Sequence, residues 1–200
     1  MAKCSITAAL GGARRAAMLG VMTPLQQTQA WFERAVIGLN LCPFAKAVHA
    51  RGQIRWVLCE ATEPASLRAA LVAELQTLAA ADPAQIDTTV LVHPQVLNDF
   101  LDFNDFLDFA DAALAELGLE GELQIASFHP DYRFEGTADD DIANFTNRAP
   151  FPTLHLLREA SIERAVQANP DAAAIYERNI ETLQALGHEG WQRLMSETTS

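Results

Sequence analysis

The stretch from His129 to Arg158 holds most of the residues in this chain whose side chains are suited to chemistry. His129-Pro130-Asp131 ends one apolar run. Asn144 and Asn147-Arg148 follow in a long irregular segment, and His155 and Arg158 belong to the next apolar run. Imidazole titrates near neutrality, whereas a guanidinium stays charged and offers a planar fork to carboxylate or phosphate. Together these types predict an anion clamp beside a proton-transfer group. In that reading Arg148, helped by Asn144, Asn147, His155 and Arg158, holds a small anionic molecule, and His129, oriented by Asp131, is the general acid or base. Cys42 joins them as a nucleophile if the first helix folds over the same end of the protein. Plainer readings stand beside these. His-Pro at a strand end is also an ordinary satisfied turn, Cys42 before Pro43 a small buried hydrophobe, and Arg148 and Arg158 surface charges paired with Asp131 or Glu159.

Two other functions compete for the same chain. His93, His129 and His155, with Cys42, are of zinc- or copper-ligand type. No two of them stand at a local ligand interval, so the fold would have to bring them within roughly 4–5 Å of one another. The third possibility is a non-catalytic adaptor that docks a basic partner on an acidic helix. NDFLDF occurs in tandem at 98–103 and 104–109, placing Asp99, Asp102, Asp105 and Asp108 three residues apart. That spacing fans the carboxylates round a helix, and a solvated charged face is its plainer meaning. GxGxxG, P-loop, HExxH and GxSxG signatures do not occur, which removes the commonest dinucleotide, nucleotide, zinc-protease and serine-hydrolase readings. The residues name no cofactor and no protein partner, and leave open whether the protein is an enzyme.

Composition narrows the partners further. Two hundred residues, half of them hydrophobic and a fifth charged, suffice for one globular domain without disulfides or structural metals. The excess of 26 acidic over 14 Lys and Arg residues gives a net charge of −12, which repels phosphodiester backbones and anionic lipid surfaces. Neither nucleic acid nor a membrane is expected as a partner. No apolar run approaches the roughly 18 residues of a spanning helix. Cys4, Cys42 and Cys59 form no CxxC pair and suit a reducing cytoplasm. Residues 1–21 carry Lys3, Arg14 and Arg15 and no acid, leaving 11 basic against 26 acidic residues, or −15, in the rest. They read as a disordered extension or an upstream start.

The elements that must position these groups follow from periodicity. Thr23-Pro24-Leu25-Gln26 signs a helix start with a capping box, and Leu25, Phe32, Val36 and Leu39 continue a helical stripe to Gly38 and Asn40. Strands are expected at 54–59, 88–92, 123–128 and 153–157. Helices are expected from Pro64 to about Asp82, from Val96 to Leu117 with Gly118 as cap, from Ser161, and from Asn169-Pro170 to Gly187. The connection 131–152 exceeds the roughly 12–15 residues of an ordinary loop, and Thr137 with Asp140 predicts a single helical turn inside it. The order is α-β-α-β-α-β-β-α-α. Helical crossovers make the first three strands parallel, and the long return lets the fourth run antiparallel. The expected fold is α/β, a small, mixed but mostly parallel four-stranded sheet with helices on both faces, in a thioredoxin-like order of elements. It forms a single domain over 22–187, followed by a tail over 188–200. Ligands of such sheets bind where the parallel strands end, here after Cys59, His93 and His129.

The segments Gly38-Leu39-Asn40-Leu41-Cys42-Pro43-Phe44-Ala45, Phe128-His129-Pro130-Asp131-Tyr132-Arg133-Phe134 and Asn144 through Glu159 resemble the bacterial domain-of-unknown-function 1415 family over about Met22 to Gly187. The resemblance implies a small intracellular domain and carries no activity with it.

Overall fold

The structure is a computed structural model, and it describes residues 22–168 and 174–196. The basic segment 1–21 and the helix start at Asn169-Pro170 lie outside those residues.

Thr23 opens α1 (Pro24–Trp31). Its hydroxyl accepts the Gln26 N–H while the Gln26 side chain accepts the Thr23 N–H, which is the reciprocal box its sequence predicts. The helix widens into a π-helical stretch, Phe32–Ile37, and closes on Gly38. A Cβ there would stand 2.2 Å from the Arg34 carbonyl oxygen, so no other residue fits without displacing the backbone. A further helix, α2 (Pro43–Ala50), starts on Pro43 and adds to the expected set. Then follow β1 (Ile54–Leu58), α3 (Pro64–Ala80), β2 (Thr88–Val92) and α4 (Phe100–Leu117). Gly118 ends α4 in the left-handed region at φ 66°. After β3 (Leu123–Phe128), the long connection contains one 3-10 turn, Ile142–Thr146, capped by Asp141 rather than by Thr137. The chain finishes with β4 (Thr153–Arg158), α5 (Glu159–Gln167) and α6 (Ile175–Ser196). Residues 188–196, expected as a tail, are helical. α6 bends at Gly187 and buries Trp191.

The sheet order is β1-β2-β4-β3, with β1 and β2 parallel and β4 antiparallel to both of its neighbours. Three strands therefore run one way and β4 the other, as expected, but β4 sits between β2 and β3. One ladder of three is parallel, so the sheet is mixed and not mostly parallel. The reason lies in β4 itself. Leu154, Leu156 and Arg158 are buried on one face, and on the other Thr153 is buried while His155 and Leu157 are only partly covered, a degree of burial that suits a central strand.

Strand alternation divides the core. Val57, Leu91, Leu123, Leu154 and Leu156 face α3 and α4, where Leu67, Leu71, Leu75, Leu78, Phe103 and Phe106 cover them. Ile54, Trp56 and Phe128 face the other way, onto Trp31, Phe32, Val36, Leu183 and Trp191. Arg55 and the buried Glu74 join β1 to α3 at 2.7 Å. On the second face the cover is incomplete, and part of the sheet stays open between α2 and α5. No helix among the described residues is long and apolar enough to cross a membrane.

Candidate functional site

The expected site residues separate into two places. His129, Asp131, Asn144, Asn147 and Arg148 meet at the end of the sheet where β1, β2 and β3 finish, and there they build the connection 129–152. His129 is fully buried and uses both ring nitrogens. Nδ1 accepts the Asp131 N–H at 3.0 Å, so Nε2 carries the proton and donates to the Leu97 carbonyl at 3.2 Å. Asp131 thus orients the imidazole through its backbone. Burial pushes the His129 pKa down, against the opposing pull of the Leu97 carbonyl and of Asp131 and Asp99. Asn144 is fully buried too. Its Oδ1 accepts the Phe134 N–H and the Thr137 hydroxyl, and its Nδ2 donates to the Ala138 carbonyl. Asn147 donates to the Ser127 carbonyl. Arg148 lies on the Phe145 ring, 4.6 Å from its centre, and donates to the Tyr132 and Asp139 carbonyls at 3.0 and 2.6 Å.

These groups bond chiefly to the backbone of their own connection and its neighbours. The cleft beside Arg148, about 580 Å³, is lined by Asp99, Asp131, Asp139 and Asp140 against Arg133 and Arg148, and Arg133 is itself paired with Asp139. Acids outnumber bases there, a balance that disfavours an anion. The Arg148 guanidinium holds the loop backbone at this cleft.

The histidines do not assemble into a metal set. His93 and His129 both pack on Phe103, with ring centres 5.8 and 5.1 Å away, whereas His155 lies on the opposite face of the sheet beside Phe128. Among the described residues no group of three His, Cys, Asp or Glu is placed to hold a metal ion. Arg158 is committed elsewhere. Nearly buried, it donates to the Leu78, Ala81 and Ile86 carbonyls and so satisfies the C-terminal end of α3. On α4 the repeated aspartates are exposed and Phe103 and Phe106 are buried, while Leu101 and Phe109 stand out to solvent.

Cys42 and His155 meet in the second place, the open part of the sheet, which Arg158 borders while its guanidinium stays on the carbonyls at the end of α3. This groove of about 680 Å³ has a floor of Ile54, Thr88, Ala126, Phe128, His155 and Leu157. Its banks are α2, through Ala45 and Val48, and α5, through Ile162 and Ala165. It lies toward the end of the sheet where β1, β2 and β3 begin, opposite to the end that their strand order indicated. The Cys42 thiol is pushed up by burial, against the backbone amides of Ala45 and Phe44, and is a poor nucleophile in that state. His155 Nε2 contacts the Thr88 hydroxyl at 2.7 Å, and burial lowers its pKa to about 4. The charged lining consists of Arg51, Arg158 and Arg164 with one acid, Asp87. Asp87 accepts the Ser161 hydroxyl, and Ser161 in turn accepts from Arg164.

The sequence reading missed Arg51, Thr88 and Arg164. Two signals point to them in retrospect: Pro43 ahead of the small-residue run Ala45, Ala47 and Val48, and a lone histidine within the strand Thr153–Arg158.

The fold defines the class, a mixed α/β protein with a four-stranded sheet and, among the described residues, six α-helices. The chain belongs to the family described as protein of unknown function DUF1415, whose family model matches residues 23–193. No curated protein and no solved structure matches it.

Proposed function

We propose that the protein binds a small molecule with an apolar body and an anionic group, seated in the groove between α2 and α5. The observation that carries this reading is the contrast between the groove and the rest of the molecule. In a chain of net charge −12, an apolar-floored concavity of ligand size carries Arg51 and Arg164 on its banks against one aspartate, Asp87. Arg51 and Arg164 are exposed and stand on opposite banks, placed to take a carboxylate while the sheet face takes the apolar part. The small anionic partner that the sequence indicated is thereby kept and moved to the other end of the sheet. This is a binding function, and no covalent step is assigned to it.

Displacement of a fluorescent anilinonaphthalenesulfonate probe by octanoate tests the proposal. Octanoate is expected to bind the wild type. The Arg51→Gln, Arg164→Gln double variant should bind it roughly tenfold more weakly, the loss of two partly solvated charge contacts. Ala165→Trp, which fills one bank, should abolish binding while the far-ultraviolet spectrum stays unchanged. Octanoate binding that both variants leave intact places the ligand elsewhere and defeats the reading.

A second reading rests on α4. Leu101 and Phe109 are 65% and 54% exposed among Asp102, Asp105 and Asp108, a face whose charge suits a basic segment of a partner protein.

A further inference from the structure

We infer that His155 makes the groove select ligands that carry a hydrogen-bond donor, a hydroxyl or an N–H, on the apolar body. This rests on the groove being the binding site. The argument begins with Thr88, whose hydroxyl has a single proton. It donates that proton to the Leu156 carbonyl at 2.6 Å, so in its 2.7 Å contact with His155 Nε2 the hydroxyl oxygen accepts. Nε2 must then carry the ring proton, and in the neutral imidazole the other nitrogen, Nδ1, is a pure acceptor. No hydrogen bond to Nδ1 is found among the described residues, and Nδ1 is not one of the buried polar atoms left without a partner, so it is reached from the groove.

The strand register explains why that acceptor stays open to a ligand. His155 stands between Val90 of β2 and Ala126 of β3, and its diagonal neighbours Thr88 and Phe128 line the same floor. Ala126 is too short to cap the ring, and α2 and α5 leave the space above it open. A ligand lying on Ala126, Leu157 and Phe128 therefore passes over an oriented acceptor. A donor placed there completes the hydrogen bonding of Nδ1. An ether or ketone oxygen meets a lone pair and is penalised, because a polar group brought into a low-dielectric wall without its partner is costly. Burial keeps the ring neutral at physiological pH, which preserves the acceptor. The Thr88–Leu156 contact is thus a positioning device acting through the tautomer of His155.

Octanoate, hydroxyoctanoates substituted at successive carbons, and their O-methyl ethers form the test set. At least one hydroxyl position is expected to bind about 3- to 10-fold more tightly than octanoate, the range of one neutral hydrogen bond. Its methyl ether should lose that gain. In His155→Phe the ratio of hydroxyoctanoate to octanoate affinity should fall to about one. Thr88→Val, which removes the hydroxyl that fixes the tautomer, should reduce the same ratio, and the ¹⁵N shifts of His155 should report the change directly. The inference is overturned if octanoate binds and no hydroxyl position improves on it, if the ethers gain equally, or if the preference survives in His155→Phe. Failure of octanoate itself to bind is a different result, and it removes the binding proposal and this inference together.

Discussion

Stability should fall steeply as pH drops from about 6.5 toward about 4, because the fold holds His93 and His155 neutral. Burial lowers both pKa values from 6.5 to about 4. Between those two values the unfolded chain takes up protons that the folded chain refuses, so protonation pulls toward unfolding. The stabilisation is fully present above pH 6.5 and is lost as pH falls through the window to about 4. His93 dominates. Its Nδ1 donates to the Val96 carbonyl at 3.1 Å, its Nε2 is buried without a hydrogen-bond partner, and its ring stacks on Phe103. A second proton has nowhere to be solvated. A shift of that size corresponds to about 3 kcal/mol, and His155, whose ring lines the groove, contributes less. His129 adds in the same direction, since protonating Nδ1 breaks its bond from the Asp131 N–H. Urea denaturation at about pH 7 and about pH 5 measures the slope, and His93→Leu should make it shallower. Equal slopes in wild type and His93→Leu contradict the assignment to His93.

Asn144→Ala should destabilise the protein by about 3 kcal/mol, with protection from hydrogen exchange lost first over 131–148. The substitution strands the Phe134 N–H, the Thr137 hydroxyl and the Ala138 carbonyl at once. Each stranded group costs roughly 1–3 kcal/mol when buried, and partial entry of water into the loop holds the sum below the maximum. For a domain of this size that corresponds to a fall in Tm of roughly 6–12 °C. Asn144→Asp keeps both acceptor functions and loses the donor to Ala138, so its effect should be intermediate. A loss under about 1 kcal/mol for Asn144→Ala would mean that the connection is not organised by this side chain.

The contrast between these two residues shows what was legible in the chain. Local chemistry was legible: the Thr23–Gln26 box, the Gly118 cap, the four strands and the ordered turn within 131–152 all appear at or near their expected places. Pairing was not. Periodicity tells which face of a strand is buried but not which strand lies beside it, and β4 entered between β2 and β3. Asn144, Asn147 and Arg148 read as ligand-binding groups because a sequence shows polar residues without showing their partners, and the structure gives them partners in the backbone of β3 and of their own connection. The groove was hidden for a related reason. It is made by what does not cover the sheet, and one of its banks, α2, is a helix of only eight residues that begins three residues after the first helical stripe ends at Asn40.

The most direct test of the relocated site is a two-dimensional amide NMR titration with octanoate. Shifts are expected to concentrate on Ala126, His155 and Leu157 in the floor and on Arg51 and Arg164 on the banks, with Arg148 and the connection around it unmoved. Shifts centred on Arg148 and Asp131, with the floor of the groove silent, would contradict the account.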